Sequence, residues 1–151
     1  MREIEKSRFV RAAVENEVLS RAADRCDHDG AAKLDAALKL QARAIEEHNV
    51  DEFGRLDYEF HETLCEIAGA EFAFDVIMKE KVKVDRLCRL GLSKEQRMPE
   101  LLDDHKKIAD AVKRHDVKSA IQAGRAYLSR LDETIQGIIS TNASYFEPLD
   151  R

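Results

Sequence analysis

Along nearly the whole chain, apolar residues return at every third or fourth position, a spacing that suits the 3.6-residue turn of an α-helix. From about Glu3 to Cys26 the stripe reads Val10, Val14, Val18, Ala22 and Cys26, with charges between. Asp27-His28-Asp29-Gly30 is expected to stop it, glycine being the residue that adopts left-handed backbone angles cheaply. A second helix is expected over about Ala31 to Glu47, on Leu34, Leu38 and Ile45, with His48-Asn49 at its end. The third, about Val50 to Ala68, carries Phe53, Leu56, Phe60, Leu64 and Ile67, and Gly69 breaks it. A fourth runs from about Phe72 to Leu90, followed by the connection Gly91-Leu92-Ser93-Lys94. The fifth, roughly Glu95 to Arg114, requires Pro99 to sit in the first turn, where a missing N–H costs nothing. The sixth, about Val117 to Ser140, follows a His115-Asp116 turn in which Asp116 is the expected N-cap. The predicted fold is all-α, an antiparallel bundle of about six helices.

Composition narrows the class. The 151 residues suit one domain, and no internal repeat or long linker divides them. With 44% hydrophobic and 36% charged residues, neither a disordered chain nor a membrane protein fits. No apolar run approaches the roughly 20 residues of a spanning helix, and the charged start, Met1 to Arg8, is unlike a signal peptide. The expected location is the cytoplasm, where Cys26, Cys65 and Cys88 stay as thiols. A net charge of −5 argues against this chain holding nucleic acid by itself.

The polar residues on the apolar stripes carry the chemistry. Asp57 and His61 are one turn apart beside Phe53, Leu56, Phe60 and Leu64, so both tilt toward the core. His105 is in line with Met98, Leu102, Ile108 and Val112, and Tyr127 follows Ala120 and Gly124 and precedes Leu131. Three helices thus aim an acid, two imidazoles and a phenol inward. Gathered at one point, they suit a divalent ion such as zinc, nickel or manganese; kept apart, they are separate hydrogen-bonded core residues. An ionised Asp is costly to bury without a partner, which favours the gathered arrangement. His28, His48 and His115 fall at helix ends and read as punctuation. The run Lys79-Glu80-Lys81-Val82-Lys83 reads as a solvated basic face. Arg86 and Arg89 flank Val82 and Leu90 on the helical wheel and are expected to turn partly inward, where a guanidinium grips a carboxylate with two hydrogen bonds.

These residues resemble a known family. Leu56-Asp57-Tyr58-Glu59-Phe60-His61 is similar to the D-x-x-F-H motif of the C-terminal effector-binding (FCD) domain of FadR-type regulators in the GntR family. Arg11-Ala12-Ala13-Val14-Glu15 resembles its opening R-x-x-L-E. Asp104-His105 with Ile108 and Ala111 resembles E-H-x-x-I-x-x-A, and Arg114 to Ala120 resembles its G-D-x-x-x-A segment. The motifs keep the family's order from about Arg11 to Leu131.

That resemblance implies a single effector-binding and dimerisation domain over residues 1–151, binding a small organic acid, often through a metal held by one Asp and three His. Asp57, His61 and His105 fall on three of those ligand positions; the fourth falls on Tyr127, and the family's usual Gly-Asn after the third helix is Gly69-Ala70. The implied effector contacts are Arg86, which falls on a basic position of the fourth helix, with Tyr127 and Arg89. The family works as homodimers and controls DNA through a preceding winged-helix domain. Ten residues before Arg11 are too few for one, so the expectation is an effector domain from a longer regulator. Two rivals stay open: a metal-dependent helical-bundle enzyme, suggested by His115-Asp116, and a purely structural dimerisation bundle. With no paired acid and base, nucleophile or phosphate loop in the sequence, an enzyme is not expected.

Overall fold

The computed structural model describes residues 2–88 and 94–141. They form six helices: α1 (Arg2–Arg25), α2 (His28–Glu46), α3 (Val50–Ile67), α4 (Phe72–Cys88), α5 (Lys94–Lys113) and α6 (Val117–Thr141). No strand occurs among the described residues. Short connections pair α2 with α3 and α5 with α6, and α5 also packs on α2. Helix α1 is axial, touching α3, α4, α5 and α6.

The helix ends follow from local chemistry. Asn49 Oδ1 accepts the Glu52 N–H at 3.1 Å, and Asp116 Oδ1 accepts the Ser119 N–H at 3.0 Å, each side chain satisfying an orphan donor of a first turn. Three helices end in the same double bond, in which a residue of positive φ turns its N–H and the next one back onto the last turn. In α2 His48 (φ 53°) does this, with His48 N–H to Ile45 O and Asn49 N–H to Ala44 O. Gly69 (φ 68°) closes α3 and His115 (φ 60°) closes α5 in the same pattern. The reading of His48 and His115 as punctuation agrees with this geometry.

Two local expectations are corrected. Asp27 to Gly30 is a start rather than a stop: Asp27 Oδ1 accepts the Gly30 N–H at 2.8 Å and caps α2, whose first residue is His28. Pro99 lies inside α5, at its sixth residue, because that helix begins at Lys94 rather than further on.

The core joins Phe53, Phe60, Leu64, Ile108, Val112 and Leu128 with Leu19 and Ile135 from the flanking helices. In the first half of α1 the buried stripe is polar: Ser7, Arg11 and Glu15 face inward, while Val10 and Val14 are only partly covered. Choosing the valines shifts the expected stripe by one residue. Cys26 and Cys65 are buried free thiols, as expected, and the Cys88 side chain lies outside the described residues. Burial pushes the Cys65 thiol up to about 12.

Two glycines of α6 make opposite demands. A Cβ on Gly124 would lie 2.4 Å from the buried Leu19 Cδ1 on α1, whereas one on Gly137 would meet nothing within 4 Å. Gly137→Ala should therefore raise stability by about 0.5–1 kcal/mol through helix propensity alone. Gly124→Ala should lower it by roughly 1–3 kcal/mol through overpacking. Urea denaturation checks both; equal gains would show that Leu19 gives way freely.

Candidate metal centre

On α3, Asp57 and His61 are one helical turn apart, and His61 Nε2 lies 3.5 Å from Asp57 Oδ1. Helix α5 brings His105 Nε2 to 3.2 Å from the same oxygen. Each residue offers one ligand atom, all three lie within 4.8 Å of one another, and each residue is at most 3% exposed. Donor atoms about 2.1 Å from one tetrahedral ion are about 3.4 Å apart, so the spacing matches a shared ion. The sequence expectation that these side chains converge describes what is seen.

The outer nitrogens decide the protons. His105 Nδ1 lies 2.7 Å from Gln41 Oε1, and His61 Nδ1 lies 3.6 Å from Glu15 Oε1. A neutral imidazole has one N–H; the tautomer with that proton on Nδ1 turns it to the outer oxygen and leaves Nε2 as a lone pair toward Asp57. Burial holds the His105 pKa below its ordinary value against the pull of Asp57, which keeps that ring neutral. Asp57 Oδ1 and both Nε2 atoms are buried without a hydrogen-bond partner. In that tautomer three acceptors face one another, an arrangement that a cation relieves. Outer-nitrogen partners of this kind fix the orientation of metal-binding histidines. Phe60 stacks on His105 at 4.3 Å between centroids and holds the ring in place.

Two buried cations complete the site. Lys81 Nζ on α4 lies 2.7 Å from Asp57 Oδ2, an ion pair both of whose members are nearly inaccessible. Burial alone would raise the Asp57 carboxyl; the Lys81 ammonium overcomes it and holds the acid well below the usual range. Burial would depress the Lys81 ammonium, and Asp57 more than reverses that. Arg11 Nε donates to Glu15 Oε2 at 2.9 Å, and its Nη2 donates to Tyr127 Oη at 3.3 Å. Against burial, the Arg11 guanidinium holds the Glu15 carboxyl below its ordinary value.

Tyr127 is buried, with its ring centroid 5.8 Å from that of His61 and 6.2 Å from that of His105. Arg86 is not part of this group: its side chain is exposed, and the buried cation of α4 is Lys81. The reason is angular, since five residues rotate a helical position by about 140°. Arg89 lies outside the described residues. Sequence reasoning missed Lys81, Glu15, Gln41 and the inward Arg11. A signal for Lys81 existed, because it is spaced as part of the buried series Ile77, Lys81, Val84.

The FCD domain family profile matches residues 8–130. The chain is similar to the HTH-type transcriptional repressor RspR of Escherichia coli (strain K12), 30% identical over 146 residues, which are 97% of this chain and 64% of that protein. The Shigella flexneri protein named uncharacterized HTH-type transcriptional regulator YdfH matches with the same identity and coverage. A Streptomyces ambofaciens protein, named an uncharacterized HTH-type transcriptional regulator in unstable DNA locus, is 29% identical over 140 residues, 93% of this chain and 58% of its own. The chain thus spans less than two thirds of the length of these relatives.

The depressed Asp57 and Glu15 fix a sign for pH dependence. A carboxyl with a folded pKa below its unfolded one, about 4, stabilises the fold above that pH and loses this contribution as pH falls through the folded value. In metal-stripped protein, Asp57→Asn should cost about 3–5 kcal/mol at pH 7, because Lys81 then remains buried without its counter-charge. It should also flatten the fall in stability below pH 4. Urea unfolding at pH 7 and at pH 3 checks both; parallel curves for the two chains would contradict the charge assignment.

Proposed function

The chain belongs to the FCD domain family, and we propose that it is the effector-sensing part of a transcriptional regulator, binding a small carboxylate at a divalent metal held by Asp57, His61 and His105. The observation that carries this reading is the convergence of three buried ligand atoms, Asp57 Oδ1 and the two Nε2 atoms, none with a hydrogen-bond partner. Two imidazoles and a carboxylate suit zinc, nickel or manganese, and Asp57 Oδ1 is the carboxylate oxygen that faces both Nε2 atoms. When bound, the ion supplies a positive centre for a carboxylate oxygen. Tyr127 stands where the resembled family has its fourth ligand; its oxygen already accepts from Arg11, so its O–H proton is the one left to donate to the effector. The site's field, and not the net charge of −5, governs which small ion enters.

Homologues named as HTH-type regulators support an output through DNA, made by a helix-turn-helix segment acting with this domain. Effector binding would shift operator affinity by linkage between the two sites. Among the described residues no helix is long and apolar enough to cross a membrane, consistent with work in the cytoplasm. Pairing of two copies accords with large apolar side chains left exposed on α1 and α4, Phe9 at 75% and Phe72 at 76%.

Two measurements test this function. Titration of metal-stripped protein with zinc, nickel and manganese should show one ion per chain, and His105→Ala should lose at least a hundredfold in affinity. With metal present, acetate, lactate or citrate should raise the melting temperature, the gain being about 2.7 kcal/mol at a hundredfold excess over Kd. Arg86→Ala should respond as the parent does, because Arg86 is exposed. Absence of any metal binding would overturn the reading. In sedimentation, the chain should run at twice 17.2 kDa at tens of micromolar, and Phe72→Asp should shift it toward the single-chain mass. A single-chain mass for the parent would refute the pairing.

A further inference from the structure

The two oxygens of Asp57 have different surroundings. Oδ1 faces the imidazole nitrogens at 3.5 and 3.2 Å, and Oδ2 faces Lys81 Nζ at 2.7 Å. That ammonium has a second acidic neighbour: Asp85 Oδ1 lies 3.6 Å away, one turn further along α4. Asp85 is fixed in turn, since the Tyr58 O–H donates to its Oδ2 at 2.7 Å. The Tyr58 ring also lies 5.2 Å from Nζ, within reach of a cation–π contact. One buried ammonium thus has two carboxylates within reach, Asp57 at 2.7 Å and Asp85 at 3.6 Å.

We propose that Lys81 is the resident cation of this site: it neutralises Asp57 in the metal-free chain and turns to Asp85 when a divalent ion takes the carboxylate. The inference rests on the metal reading above and goes beyond it, because it makes the metal exchangeable and dispensable for folding. The charge count explains why a resident cation is required. Glu15, Asp57 and Asp85 bring three negative charges and Arg11 and Lys81 two positive ones, so with neutral imidazoles the cluster stands at −1. Without Lys81 the same buried cluster would stand at −2, and an uncompensated buried charge is strongly destabilising. Lys81 thus takes, in the metal-free chain, the charge-balancing role that a tightly held metal would otherwise fill. An ammonium fixed beside a divalent ion would repel it strongly at the dielectric of a protein interior. Asp85 eases that conflict by offering Lys81 a second carboxylate, 3.6 Å away, to turn to.

The test is calorimetric titration of the metal-stripped chain, Lys81→Met and Asp85→Asn with zinc and with nickel, beside thermal melts of the metal-free proteins. Lys81→Met should bind at least tenfold more tightly than the parent, while its metal-free form melts lower. Asp85→Asn should bind at least threefold more weakly, because Lys81 then has only Asp57 to hold. Binding by Lys81→Met within twofold of the parent, or binding by Asp85→Asn as tight as or tighter than the parent, overturns the proposal. If Lys81→Met does not fold, Asp85→Asn decides alone. If none of the three chains binds either metal, the metal reading itself falls and this inference with it; if the parent binds and both variants match it, only the role of Lys81 is wrong.

Discussion

The carboxylate of Asp57 is 1% exposed, and the structure around it follows from that fact. An ionised acid taken out of water costs several kcal/mol unless its charge is met. It is met by Lys81 on α4, while His61 on its own α3 and His105 on α5 face the other carboxylate oxygen. Those partners recruit others, for His61 faces Glu15 and through it Arg11 on α1, His105 faces Gln41 on α2, and Arg11 reaches Tyr127 on α6. All six helices therefore contribute to a single charged cluster. Well-packed apolar residues of the same volume would often stabilise as much or more. The polar cluster specifies how the helices meet, a stronger requirement than holding them together.

The fold was largely legible because helical periodicity is a local property. Stripes such as Phe53, Leu56, Phe60 and Leu64 declare their buried face within one segment, and all four are buried. Legibility failed where polar residues replaced apolar ones on the inner face. In α1 Arg11 and Glu15 lie inward beside Val18 and Leu19, but a hydrophobic criterion selects Val10 and Val14. Segment 27–30 was misjudged for a related reason. Asp and Gly serve equally at a helix start and at a helix end, and only the hydrogen bond from the Gly30 N–H to Asp27 shows which applies.

In the site, the acid and both imidazoles were legible because they border strong apolar stripes. Lys81 was not, since a lysine in a run of charges is ordinarily solvated, and nothing local announces the carboxylate waiting on α3. The pairing is written across 24 residues of chain, and likewise Gln41 meets a histidine 64 residues away. Arg86 shows the reverse error: its charge suited a carboxylate grip, but its angle on α4 is wrong for one. Charge can be read from sequence one residue at a time, whereas compensation of a buried charge is a property of pairs.

A site drawn from every helix has a consequence for sensing. A ligand shifts an equilibrium only by its differential affinity for the two states, so it must touch something whose position differs between them. Added positive charge beside Asp57 would alter the balance of Lys81 on α4 between Asp57 and Asp85, and the surroundings of the Arg11–Glu15 pair on α1 through His61. Those two helices pack on each other and carry the exposed Phe9 and Phe72. Dense interiors transmit such shifts instead of absorbing them, because there is little free volume in which a side chain can relax. The buried charges that tie the helices together are the ones an ion or a carboxylate at Asp57 would disturb, so in the function proposed above one cluster serves as scaffold and sensor for one physical reason.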